Sequence, residues 1–98
     1  MKVSKNASKN RFALAEHELI EMLADLNLIV VSLDRIGSSA DTEKVASVLI
    51  GEFLLKRDFF KRMASMRRVL SKAFDVGASP EAQHRLETRL SRLRYWKP

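Results

Sequence analysis

Apolar side chains recur along most of this chain at alternating steps of three and four residues, the spacing of helices that bury one face. The strictest run is Phe12, Ala15, Leu19, Met22, Leu26, Ile29, Leu33 and Ile36, eight successive positions with no polar breach. Such a run is the seam of a coiled-coil-like helix. A softer row of Ala13, His17, Ile20, Ala24, Asn27 and Val31 lies to one side. Its small residues permit close approach, and one Asn in such a row fixes register. Gly37-Ser38-Ser39-Ala40 then interrupts the pattern. Gly37 is the expected C-cap of this first helix, and Ser39 or Asp41 the expected N-cap of the second.

Residues 41–76 contain no Pro and one Gly, and they carry two adjacent rows. One is Ala46, Leu49, Phe53, Lys56, Phe60, Met63, Arg67, Leu70 and Phe74. The other is Val45, Val48, Glu52, Leu55, Phe59, Arg62, Met66, Val69 and Ala73. A helix with two such rows sits between neighbours, so this stretch is read as a central helix. Gly51 costs its interior about 1 kcal/mol relative to Ala, which a close crossing or a bend would explain. Ile50 and Leu54 fall outside the main apolar arc and are candidates for contact with another chain. The helix is expected to end at Gly77 in the C′ position, before the N-cap, N1 proline and acidic first turn of Ser79-Pro80-Glu81. Ala82, Leu86, Leu90 and Leu93 form the apolar face of the last helix. Continued helical spacing would bring Trp96 one turn beyond Leu93, as an aromatic lid over the bundle end.

The expected fold is therefore all-α, an antiparallel hairpin of two long helices plus a shorter C-terminal third. The helices are placed at about 11–36, 41–76 and 80–95 of one domain covering 1–98, with 1–10 a flexible basic tail and Ser8 a candidate N-cap. Both long helices show more apolar surface than a three-helix monomer covers, so a homodimer completing a bundle is expected, with Asn27 near the interface.

Composition narrows the chemistry. Ninety-eight residues with no Cys exclude thiol, disulfide and Cys-based zinc chemistry and fit a reducing compartment. Apolar runs at 28–31, 48–50 and 53–55 are far too short to span a membrane. Glu16, Glu18 and Glu21 interrupt the place where a leader's apolar segment would stand, so a cytoplasmic protein without membrane partners is expected. The net charge of +6 divides into +4 over residues 1–11, −6 over 12–55 and +8 over 56–98. A hairpin folded at residues 38–39 would set Glu21 near Arg57, and Glu16 and Glu18 near Lys61 and Arg62. Much of the asymmetry would then be internal pairing, each exposed pair contributing about 0–1 kcal/mol.

No catalytic signature, phosphate loop or metal-ligand spacing is present in the sequence, and His17 and His84 stand in no ligand motif. No enzyme, cofactor or metal is expected. Glu52, Lys56, Arg62 and Arg67 interrupt apolar rows, either as a Glu52–Lys56 pair with snorkelling stems or as a buried ligand-binding cluster. The leading functional reading is a small non-catalytic protein–protein interaction module, a regulator, adaptor or inhibitor acting through helix faces. Its interaction candidates are Ile20, Asn27, Val31, Ile50 and Leu54. The alternative is a basic, largely sequence-non-specific nucleic-acid-binding protein. Its candidates are Arg57, Lys61, Arg62, Arg85, Arg89, Arg92, Arg94 and Trp96.

Overall fold

A computed structural model describes residues 11–98, and the basic stretch 1–10 with Ser8 lies outside the described residues. Among the described residues the regular structure is all α-helical, in four helices. They are α1 (Glu16–Ser39), α2 (Glu43–Lys56), α3 (Phe59–Gly77) and α4 (Pro80–Ser91). The chain divides into two compact units. One is Leu14–Leu70, and the other, among the described residues, joins 11–13 to 71–98.

In the Leu14–Leu70 unit, α1 starts four residues after Phe12, later than its apolar seam suggests. Its N-cap, Ala15, has no side-chain oxygen, so only the return half of a capping box forms: Ala15 N–H donates to Glu18 Oε1 at 3.4 Å. Glu16 and Glu18 in the first turn suit the positive end of the helix dipole. The helix runs through Gly37, which is not its cap, and closes with Ala40 N–H on the Ile36 carbonyl at 3.0 Å. Ser38 is tolerated there because its hydroxyl turns back onto the Asp34 carbonyl at 3.0 Å. Neither Ser39 nor Asp41 caps α2. Thr42 does, its Oγ1 accepting from Val45 N–H at 3.1 Å.

The expected continuous helix over 41–76 is two helices, α2 and α3, and the break is not at the glycine. A Cβ placed on Gly51 would meet nothing within 4 Å, so a tight crossing does not account for that residue. The ladder is broken seven positions later, where Asp58 takes a left-handed backbone (φ 56°). Asp is among the few residue types that accept this conformation readily. Arg57 N–H still bonds the Phe53 carbonyl at 3.2 Å, and Arg62 N–H then takes the Asp58 carbonyl at 2.9 Å. The Arg57 carbonyl is satisfied by Arg62 Nε at 3.3 Å. What favours the break is aromatic packing. On one straight helix Phe53 and Phe59 would stand about 9 Å apart along the axis and about 120° round it. Across the turn their rings meet edge-on at 6.1 Å, and Phe59 meets Phe60 at 5.3 Å.

The core of this unit is Ile29 of α1, Phe53 of α2 and Met66 of α3. Met22, Leu28, Ile36, Leu54 and Phe59 pack partly buried against it. It is a small core, and none of its side chains is fully sealed from solvent.

In the second unit, Phe12 stacks on Phe74 with centroids 5.4 Å apart and planes 13° from parallel. Arg11 N–H donates to the Gly77 carbonyl at 3.2 Å. These contacts hold residues 11 and 12 against the end of α3, which is why the helical spacing of Phe12 does not become helix. Gly77 closes α3 with no positive φ, so it is not the left-handed cap that its position suggests. A Cβ there would fall onto the Arg11 carbonyl, 2.8 Å from its carbon and 3.0 Å from the Phe12 ring. Close approach, not backbone freedom, is what requires the glycine. Ser79 then caps α4, its Oγ accepting from Ala82 N–H at 3.1 Å, with Pro80 at the first helical position.

Candidate helix-face interaction surface

The apolar arc of α1 is wider than its intrachain contact. Met22, Asp25, Ile29, Ser32 and Ile36 face inward as a buried or half-buried stripe. About 100° round the helix a second stripe of Leu19, Leu23, Leu26, Val30 and Leu33 repeats at the same three–four spacing. All five are exposed, from Leu33 at 36% to Leu23 at 57%. The seam expected from the spacing therefore straddles the boundary: Met22, Ile29 and Ile36 turn in, while Leu19, Leu26 and Leu33 turn out. Leu23 and Val30 belong to neither of the two rows expected on this helix. Their signal is the spacing 19, 23, 26, 30, 33, which shares three members with the stricter run and is hidden by it.

Exposed apolar side chains continue on the other helices of this unit. Phe60, Met63 and Leu70 of α3 stand exposed in one row interrupted by Arg67. Val45, Val48 and Leu55 of α2 are exposed as well. Of the interaction candidates, Ile20, Asn27, Val31 and Ile50 are exposed, while Leu54 is half-buried and packs against the core. Ile20, Asn27 and Val31 flank the exposed stripe of α1 on the side away from the core.

Charge is arranged differently from the expected hairpin pairing. Arg62 Nη1 donates to Asp25 Oδ1, with Asp25 largely buried and Arg62 a third exposed. The pairing expected of Glu16 and Glu18 with Lys61 and Arg62, and of Glu21 with Arg57, is not made among the described residues. The turn at residues 57–58 resets the register, so that Asp25 rather than the first-turn acids meets α3. Nor do Glu52, Lys56, Arg62 and Arg67 gather into a buried cluster. Glu52 and Lys56 form an exposed i, i+4 pair at 3.3 Å, and Arg67 is exposed. Arg57 and Lys61 are likewise exposed.

In the second unit, Arg85, Arg89 and Arg92 are exposed on α4, as is Arg94 beyond it. The aromatic lid does not form. α4 ends at Ser91, and a tight turn comes next, with Arg92 N–H on the Arg89 carbonyl at 3.3 Å and Leu93 N–H on that of Leu90 at 3.1 Å. Without helix beyond it, Trp96 is not carried back over the apolar face and stands 85% exposed, with Tyr95 beside it.

Among the described residues no group of His or acidic side chains is placed to hold a metal ion. No described helix is long and apolar enough to cross a membrane. No protein-family model matches the chain, and no curated protein or solved structure matches it either.

Proposed function

We propose that this chain is a non-catalytic, cytoplasmic protein–protein interaction module acting through the exposed faces of α1 and α3. Its partner is a second copy of itself, completing a helical bundle from two hairpins. The carrying observation is the aliphatic row Leu19, Leu23, Leu26, Val30 and Leu33, which its own unit leaves between 36% and 57% exposed. With Phe60, Met63 and Leu70 it makes eight side chains between 36% and 63% exposed. Covering each contributes about 1 kcal/mol, roughly 16 kcal/mol for two copies. Association costs about 4–15 kcal/mol in lost freedom, so the balance favours a dimer of modest affinity.

Charge selects how the copies meet. α1 carries five acidic residues and one basic, net −4, while residues 59–70 of α3 carry four basic and none acidic, net +4. Two α1 helices laid together would repel, and α1 against the α3 of the second copy would attract. Two-fold symmetry makes that contact twice over. Asn27, beside Leu23 and Val30, then lies at the edge of the interface.

Light scattering over a concentration series is expected to show a dimer that loosens as ionic strength rises. Leu26→Lys sets a cation against the basic face of α3 and should leave a monomer with unchanged helical circular dichroism, because Leu26 is half exposed. A monomeric parent chain at high micromolar concentration would overturn self-association. So would a Leu26→Lys variant that remains dimeric.

A further inference from the structure

The exposed aromatics at the C-terminal end stand beside an unneutralised basic face, and neither feature is used by the helix-face interface. Along α4, His84, Arg85, Thr88, Arg89 and Arg92 line a shallow open groove of about 450 Å³. Arg85, Arg89 and Arg92 succeed one another at steps of four and three, so they form a line on one side of the helix. Among the described residues the ion pairs are Glu52–Lys56 and Asp25–Arg62, so none of these arginines is neutralised by a carboxylate. Arg94 and Lys97 continue the positive charge into residues 92–98, which are exposed throughout. Tyr95 and Trp96 sit between those two cations at 74% and 85% exposure.

We propose that this face binds single-stranded nucleic acid. The guanidinium groups of Arg85, Arg89 and Arg92 take the phosphodiesters along the groove, and Trp96 and Tyr95 stack unpaired bases beyond its end. Guanidinium is the donor best matched to phosphate oxygens, since its planar fork gives two parallel N–H bonds. An exposed indole costs water contact with apolar surface, and an unpaired base is the polyanion component with a ring face to cover it. Duplexes keep their bases stacked on one another and would use the arginines alone. An anionic bilayer also attracts Arg and Trp, but it would need a free apolar face to enter. About 100° round from the arginines α4 offers a bilayer only the short strip of Leu86 and Leu90, 38% and 45% exposed, with Leu93 at 40% just past its end.

Trp96 is the only Trp in the chain, so its fluorescence reports on this site alone. The free protein is expected to emit at long wavelength and to be quenched readily by iodide. Adding an oligothymidylate at low salt should quench the emission and shield it from iodide, with binding weakening steeply as salt rises. The full chain carrying Arg89→Gln should lose about 0.7 from the slope of log K against log salt, as one phosphate contact is removed. By anisotropy of a labelled oligonucleotide, Trp96→Ala should bind about tenfold more weakly or worse, and Trp96→Phe should recover most of the loss. Circular dichroism should be unchanged in all three variants. No change in Trp96 emission with the oligonucleotide would overturn the proposal. So would a salt slope indifferent to Arg89→Gln, or an equal response to the duplex or to phosphatidylglycerol vesicles.

Discussion

Phe53→Ala is expected to lower stability by about 3–5 kcal/mol, the usual range for deleting a buried aromatic ring. Phe53 sits at the centre of the Leu14–Leu70 unit, joined to Ile29 of α1 and Met66 of α3. It is also the ring on which Phe59 turns back after the break at Asp58. Its removal therefore opens a cavity and withdraws the contact that favours the left-handed turn. Small domains hold about 5–15 kcal/mol in total, so a large share of the margin would go. The comparison is Leu55→Ala, two positions along the same helix at an 81% exposed site, with an expected change within about 0.5 kcal/mol. Urea midpoints at matched protein concentration measure both. Equal losses at the two sites would show that α2 does not pack through Phe53.

Two glycines in helices are expected to respond to alanine with opposite signs. At Gly51 the backbone is helical, φ is not positive and a methyl would touch nothing within 4 Å. Gly51→Ala should therefore gain about 0.5–1 kcal/mol from helix propensity alone. The same propensity term acts at Gly77, but there the methyl falls onto the Arg11 backbone carbonyl, which cannot rotate away as a side chain would. Relief requires residues 11 and 12 to leave the end of α3. That sacrifices the Arg11–Gly77 hydrogen bond, about 1 kcal/mol, and the Phe12–Phe74 stack, about 0.5–1.5 kcal/mol beyond its area. Adding the packing disturbance, about 1–3 kcal/mol, and subtracting the propensity gain, the net effect of Gly77→Ala should be a loss of about 1.5–5 kcal/mol. Thermal melts report the sign, and faster hydrogen exchange of the Arg11 amide would show that the segment has left. A stabilised Gly77→Ala variant would mean that the close approach does not persist in solution.

The all-helical class was legible in the sequence because three–four spacing, scarce Gly and Pro, and starts such as Ser79-Pro80 are local signals. Helix formation depends on neighbours within one turn, so local signals suffice. The spacing also showed that residues 12–36 carry a broad apolar arc, but it could not say which sector a partner would cover. That depends on where α2 and α3 lie, and the result divided one row into inward Met22, Ile29 and Ile36 and outward Leu19, Leu26 and Leu33. The interruption at residues 57–58 was likewise invisible. No Pro or Gly stands there, and the left-handed Asp58 is favoured by ring contacts that exist only once the chain has turned. The same turn gave Arg62 to Asp25 rather than to the acids at the start of α1, because ion pairing depends on register and register depends on the turn. At the C-terminal end, helical spacing extends as far as Trp96, but three-residue hydrogen bonds at Arg92 and Leu93 end the helix first. Sequence periodicity decides which residues share a helix face. Which of those faces meet, and which are left open for another molecule, is decided by the turns between helices, whose geometry rests on contacts between residues far apart in the chain.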